Sequence, residues 1–133
     1  MFRILVADDE GIMLESIKSI ILSNFGSECQ VACVKTGRAV IEQAEVFRPD
    51  IAIVDIQMPG LSGIQAIREV RRFNSSMVFI IITAYDKFSY AQEAVRLGGF
   101  DYILQPAPYS DIESAVARAI MDIHEKSHAD PPA

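Results

Sequence analysis

Residues 2–10 read FRILVADDE, a mainly apolar run that ends in three acidic residues. Four further runs rich in apolar and β-branched residues follow along the chain: 29–34 (CQVACV), 51–55 (IAIVD), 77–82 (MVFIII) and 101–104 (DYIL). Three of the five are almost continuously apolar, which is typical of strands covered on both faces in a parallel sheet between helices. The opening stretch therefore predicts a buried strand that carries charge at its carboxyl end.

Stretches with helical periodicity separate these runs and follow the last one: 12–25, 37–47, 61–73, 87–99 and 109–126. Strand and helix thus alternate five times, and such alternation implies right-handed βαβ crossovers. The sequence predicts an α/β fold, a doubly wound five-stranded parallel sheet with five helices. We expect one domain over residues 1–125, and we expect the polar, Pro-rich residues 126–133 to be a tail or the start of a linker.

The composition is that of one ordinary globular domain, with 133 residues of which 50% are hydrophobic and 23% charged. A net charge of −6 argues against binding to nucleic acid or an anionic membrane by this chain alone. No apolar run approaches the roughly 18 residues of a membrane span, so we expect a cytoplasmic protein. Cys29 and Cys33 would lie roughly 13 Å apart on a strand, too far for a disulfide, so we expect free thiols.

Polar residues collect where the predicted strands end. Asp8 and Asp9 follow the first strand, Asp55 ends the third, Thr83 and Ala84 end the fourth, and Gln105 follows the fifth. The carboxyl ends of parallel strands are where an open α/β sheet binds ligands, so we expect three carboxylates to meet there. Each Asp alone could simply cap a helix. Together they predict a site for Mg²⁺ or Mn²⁺, because hard divalent cations prefer oxygen ligands.

The same strand ends carry further parts of a phosphoryl-transfer site. The Thr83 hydroxyl and the backbone N–H of Ala84 are hydrogen-bond donors for an anion. A carboxylate nucleophile, a divalent cation and such donors are what phosphoryl transfer to an aspartate requires.

These motifs resemble the receiver domain of two-component response regulators. The matching pieces are Asp8-Asp9, VDIQMPGLSG (54–63), IITAY (81–85) and FDYILQP (100–106), so the resemblance covers residues 2 to 124. It implies a flavodoxin-like (βα)5 fold. The stretch AYDKFSYAQEAVRLGGFDYIL (84–104) further resembles receivers of regulators that carry an AraC-type DNA-binding domain.

The resemblance also implies roles for individual residues. Asp55 would accept a phosphoryl group from a histidine kinase. Asp9 would bind Mg²⁺ directly, Asp8 would bind it through water, and the backbone carbonyl of Gln57 would complete the protein ligands. Thr83 would move to bond the phosphoryl group, and Tyr102 would follow it as an aromatic switch.

The output surface implied by the resemblance consists of the fourth helix, the fifth strand and the fifth helix. It would control an effector, usually by self-association, and here the effector is expected to be transcriptional. We expect a signalling domain and not an enzyme, beyond its own phosphorylation and dephosphorylation.

One position departs from the family pattern: Gln105 stands where the family has Lys. A phosphorylation-independent receiver that acts as a protein-interaction module therefore remains an alternative. A Mg²⁺-dependent phosphohydrolase of the haloacid dehalogenase type also places an Asp after its first strand. It needs a second Asp two positions later, where this chain has Glu10. A flavodoxin would need a phosphate loop rich in Gly and hydroxyl residues, where this chain has acids.

Overall fold

Strands and helices alternate along the chain and are joined by loops. This computed structural model describes residues 1–85 and 87–128, with the backbone alone described at residues 127 and 128. In chain order the elements are β1 (Phe2–Ala7), α1 (Gly11–Phe25), β2 (Cys29–Val34), α2 (Gly37–Val46), β3 (Ile51–Val54), α3 (Gly63–Arg71), β4 (Val78–Thr83), α4 (Phe88–Arg96), β5 (Asp101–Leu104) and α5 (Tyr109–His128). All ten predicted elements are present, and their ends differ from the predicted ones by a few residues.

The five strands form one parallel sheet in the order β2-β1-β3-β4-β5. The apolar runs 2–7, 51–55 and 77–82 supply the three central strands. A central strand is covered by helices on both faces, so nearly all of its side chains are apolar. The predicted doubly wound sheet is therefore confirmed.

Alternation along β1 divides the core into two layers. Leu5 and Ala7 point into one hydrophobic cluster, which also contains buried side chains of α2 and α3. Ile4 and Val6 point into the other, which contains those of α1 and α5. Successive strand residues face opposite sides of a sheet, so β1 packs against both layers. This packing on both faces positions the carboxyl end of β1.

Local hydrogen bonds set the start of two helices. Ser62 and Gln65 form a capping box before α3, with the Ser62 hydroxyl accepting from the backbone N–H of Gln65 and the Gln65 side chain accepting from that of Ser62. Thr36 caps α2 by accepting from the N–H of Ala39. Such caps satisfy backbone donors that the first helical turn leaves free.

Helix α5 continues to His128, three residues beyond the predicted domain boundary at 125. The rest of the predicted tail, residues 129–133, lies outside the described residues. Cys29 and Cys33 are free thiols, as expected. Among the described helices, none combines the length and the apolar character needed to span a membrane.

Candidate functional site

Three carboxylates meet at the carboxyl edge of the sheet. Ala7 pairs with Val54, so Asp8 and Asp55 are the next residues on neighbouring strands. The backbone continues the ladder there, since the N–H of Asp55 donates to the Ala7 carbonyl at 2.9 Å. Carboxylate oxygens of Asp8, Asp9 and Asp55 all lie within 4.8 Å of one another. The predicted convergence of these three side chains is therefore confirmed.

The fold holds these acids in an environment that opposes their charge. Burial raises the pKa of Asp8 to about 6, and the charges of Asp55 and Asp9 add to that rise, against a hydrogen bond from the N–H of Glu10. Burial also raises the pKa of Asp55. Like charges in a partly desolvated site are costly without a counter-ion. A set of close carboxylate oxygens of this kind fits a hard divalent cation such as Mg²⁺.

Two polar contacts offset part of the cost of burying the charged Asp55 carboxylate. The Thr83 side chain, at the end of β4, and the backbone N–H of Gln57, which donates to Oδ1 at 3.3 Å, favour the ionised carboxylate and oppose the rise in the pKa of Asp55. Thr83 is only 2% exposed. Ala84, the next residue, is exposed and lines the cleft above Asp55.

A path of contacts leads from this site to Tyr102 on β5. The backbone N–H of Tyr85 donates to the Thr83 hydroxyl at 3.1 Å, and the Tyr102 hydroxyl donates to the carbonyl oxygen of Tyr85 at 3.1 Å. The ring of Tyr102 is half-buried and packs against the core cluster on the α2 and α3 side of the sheet. Tyr85 thus joins the end of β4 to Tyr102 through two hydrogen bonds.

Gln105 lies beside this path but its amide is engaged elsewhere. Its backbone N–H donates to the Thr83 carbonyl at 2.7 Å, and the Gln105–Pro106 peptide bond is cis. The side-chain amide contacts Met13 Sδ at 4.0 Å, and its oxygen accepts from the N–H of Ala107 at 3.3 Å. These local partners satisfy the neutral amide of Gln105. A role for Gln105 at the acid cluster stays a prediction.

The cleft above Asp55 is lined by acidic, polar and aromatic residues: Asp9, Glu10, Asp55, Ile56, Gln57, Met58, Pro59, Ser62, Ala84, Tyr85 and Tyr90. Two features here were not predicted from the sequence. Tyr85 and Tyr90 pack together with ring centroids 5.6 Å apart, and the Lys87 ammonium lies 5.5 and 5.8 Å from those centroids. Lys87 stands at the start of a helical stretch, and no sequence spacing linked it to the acids.

A second cation approaches from β2. The Lys35 ammonium lies 3.6 Å from the position that a Cβ atom on Gly11 would occupy, beside the loop that carries Asp8 and Asp9. The sequence pattern alone does not connect Lys35 with the acids. The signal that could have revealed Lys35 is register, because Ala7 pairs with Val34 and the next residues are Asp8 and Lys35.

Comparisons with known proteins agree with this geometry. Residues 4–117 match the family described as the response regulator receiver domain. The uncharacterized transcriptional regulatory protein YesN of Bacillus subtilis is 31% identical over 134 residues, which is 97% of this chain and 36% of YesN. The chain thus spans about a third of the length of that relative.

Solved structures show the same relationship. The REC domain of AraT, a response regulator from Geobacillus stearothermophilus, is 33% identical, with a TM-score of 0.83 over 95% of this chain and 98% of that one. A CheY-like receiver domain protein from Methanospirillum hungatei has the same fold, with a TM-score of 0.88 at 21% identity over 95% of this chain and 98% of that one. By sequence over most of its length and by fold, this chain belongs to the family of response regulator receiver domains.

Proposed function

We propose that this domain accepts a phosphoryl group from a histidine kinase on Asp55, in a reaction that depends on Mg²⁺ or Mn²⁺. The observation that carries the proposal is the joint placement of the Asp55 carboxylate, two further carboxylates and the buried Thr83 hydroxyl at one sheet edge. Phosphoryl transfer needs little beyond positioning and charge neutralisation, and these groups supply both.

In this proposal, Asp55 is the nucleophile. The N–H of Gln57 and the side chain of Thr83 favour its ionised carboxylate, and Asp55 lines the cleft. Asp8, Asp9, Asp55 and the backbone carbonyl of Gln57 would hold the divalent cation. When bound, that cation neutralises negative charge on the carboxylates and on the transferred group. The Thr83 hydroxyl and the N–H of Ala84 would then donate to phosphoryl oxygens.

The signal would leave the site through Thr83, Tyr85 and Tyr102, which are already joined by hydrogen bonds. The surface at the end of this path comprises α4, β5 and α5. Exposed apolar side chains occur on all three elements: Phe88 and Val95 on α4, Leu104 on β5 and Met121 on α5. We propose that this surface controls self-association, since exposed apolar side chains favour protein contacts.

The effector is proposed to be transcriptional and to lie outside this chain. YesN is named a transcriptional regulatory protein, and this chain matches about a third of it. The resemblance of residues 84–104 to receivers of AraC-type regulators points to the same class of output. The net charge of −6 supports the expectation that this domain alone does not bind DNA.

A phosphorylation-independent receiver is the second candidate. The observation that favours it is the Gln105 amide, which contacts Met13 and Ala107 and supplies no charge to the acid cluster. In that case the fold and the interaction surface would be retained without a phosphoryl switch.

Intact-mass measurement after incubation with Mg²⁺ and a small acyl phosphate separates the two candidates. We expect the wild-type chain to gain the mass of one phosphoryl group. Asp55→Asn keeps the shape of the side chain but removes its nucleophilic charge, so it should gain nothing. A wild-type chain that stays unmodified would favour the phosphorylation-independent receiver, and a modified Asp55→Asn would place the acceptor elsewhere.

A further inference from the structure

Phosphorylation would leave the acid cluster short of positive charge. A phosphorylated side chain carries a charge of about −1.5 to −2 at pH 7. Two neighbouring carboxylates, Asp8 and Asp9, already lie within 4.8 Å of Asp55. One divalent cation cannot balance all of these charges, and the Gln105 amide is neutral and bonded to Met13 and Ala107.

Lys87 is a cation held at the rim of this cleft. Its ammonium lies over the rings of Tyr85 and Tyr90, 5.5 and 5.8 Å from their centroids, and both rings line the cleft together with Asp9 and Asp55. The lysine side chain is exposed, and its flexible four-carbon arm can reorient without disturbing the core.

We propose that Lys87 is the cationic partner of the phosphoryl group on Asp55, an assignment that rests on the proposed function. In the unmodified domain the two tyrosine rings hold its ammonium. After phosphorylation the ammonium leaves the rings and donates to a phosphoryl oxygen. Lys87, at the N-cap of α4, thereby supplies a charge that Gln105, after β5, does not.

The magnitudes favour this exchange of partners. An exposed cation–π contact is worth about two- to fivefold in an equilibrium constant. A hydrogen bond to an ionised group is worth more than about tenfold. The backbone of Tyr85 is itself bonded to Thr83 and Tyr102, so the contact would also link the start of α4 to the proposed switch.

Lys35 is the competing cation and is less well placed. It approaches Gly11 from β2, on the side of β1 that faces away from β3. Lys87 lies over Tyr85 and Tyr90, two residues that line the cleft. Lys35 instead lies beside Gly11, which is not among the described lining residues.

The test is the binding of beryllium trifluoride, a non-covalent stand-in for the phosphoryl group, followed by fluorine NMR in the presence of Mg²⁺. We expect Lys87→Met to weaken its apparent affinity about tenfold and Lys87→Arg to retain it within about threefold. Lys126→Met, at the far end of α5, removes the same charge and should leave the affinity unchanged. Adding Gln105→Lys to Lys87→Met should restore most of the loss, because it returns a cation from β5.

Two results would overturn the assignment while leaving the proposed function intact. One is a wild-type chain that takes the phosphoryl group on Asp55 while Lys87→Met binds the probe as well as Lys126→Met does. The other is a larger loss in Lys35→Met than in Lys87→Met. A wild-type chain that neither binds the probe nor gains phosphoryl mass would instead reject the proposed function, and this assignment with it. Unfolding midpoints of the variants confirm that each is folded.

Discussion

The Tyr102 hydroxyl donates a hydrogen bond to the backbone carbonyl of Tyr85 at 3.1 Å. Tyr102 lies on β5, at the proposed output surface, and Tyr85 lies just beyond β4, where its N–H contacts the Thr83 hydroxyl. One residue thus connects the proposed phosphoryl site to the surface that would respond to it.

Removing this bond should weaken the coupling between phosphorylation and self-association. Tyr102→Phe keeps the ring and its packing but loses a hydrogen bond worth about 0.5–1.5 kcal/mol. We expect the phosphoryl-dependent increase in the association constant to fall about two- to tenfold, measured by analytical ultracentrifugation. The association constant of the unphosphorylated variant is the control, because a change in the surface alone would alter association with and without phosphorylation. An unchanged phosphoryl-dependent increase in Tyr102→Phe would show that the bond to Tyr85 carries no coupling.

Metal binding should depend on Asp9. Its exposed carboxylate belongs to the cluster whose oxygens lie within 4.8 Å of one another, so removing it leaves fewer ligands for a divalent cation. Calorimetric titration of the wild type with Mg²⁺ or Mn²⁺ should show one site, which Asp9→Ala weakens strongly. Asp122→Ala, remote on α5, should bind as the wild type does. Wild-type affinity in Asp9→Ala would reject the predicted metal site.

The stability of the metal-free domain should depend on pH through Asp8. Burial raises its pKa to about 6 from an ordinary value of 3.8. Folding therefore favours the protonated carboxyl of Asp8. The stabilising contribution of this carboxyl to the free energy of unfolding is fully present below pH 3.8 and is lost as the pH rises through about 6. This shift in the pKa of Asp8 corresponds to a change of about 3 kcal/mol at most in the free energy of unfolding.

Urea unfolding of wild type and Asp8→Asn in the presence of a chelator measures that contribution. The free energy of unfolding of the wild type, relative to the variant, should fall as the pH rises across this window. Saturating Mg²⁺ at neutral pH should reverse the loss, because a ligand that binds only the folded state stabilises it. A difference between the two proteins that does not vary with pH would contradict the raised pKa.

Gln105→Lys should strengthen the phosphoryl switch. An ammonium at this position would supply a full charge, and a charged hydrogen bond exceeds a neutral one by about 1–2 kcal/mol. We expect about five- to thirtyfold stronger coupling between phosphorylation and dimerisation, with less dependence on Mg²⁺. The measurement is dimerisation at several Mg²⁺ concentrations. An equal response of variant and wild type at saturating Mg²⁺ would show that residue 105 is not limiting.

Gly63 should resist substitution because it packs closely against Val54 and Asp55 at the end of β3. A Cβ atom there would overlap the carbonyl oxygen of Asp55 and crowd the Val54 side chain. Gly63→Ala should therefore lower the free energy of unfolding by about 1–3 kcal/mol. At Gly11, by contrast, the nearest atom to such a Cβ is 3.6 Å away, and alanine should be neutral or stabilising by up to about 1 kcal/mol. Urea unfolding of the two variants compares these effects, and equal stability would remove the steric argument.

The sequence by itself determined the fold and the meeting of the acids. Strand and helix periodicity are local properties, and five alternations restrict the chain to a doubly wound sheet. In such a sheet the carboxyl ends of β1, β3 and β4 share one edge, so the strand boundaries alone place Asp8, Asp55 and Thr83 at that edge. The strand order, in which β1, β3 and β4 are neighbours, then brings the three residues close together.

Only the tertiary structure decided which contacts are made by side chains that the strand and helix periodicity does not place. The contact of the Gln105 amide with Met13, the bond from Tyr102 to Tyr85 and the place of Lys87 over two tyrosine rings each depend on the final packing of separate segments. The raised pKa of Asp8 likewise depends on how deeply the assembled fold buries it. Periodicity specifies which face of an element is apolar, whereas desolvation and side-chain contacts exist only after the elements have packed.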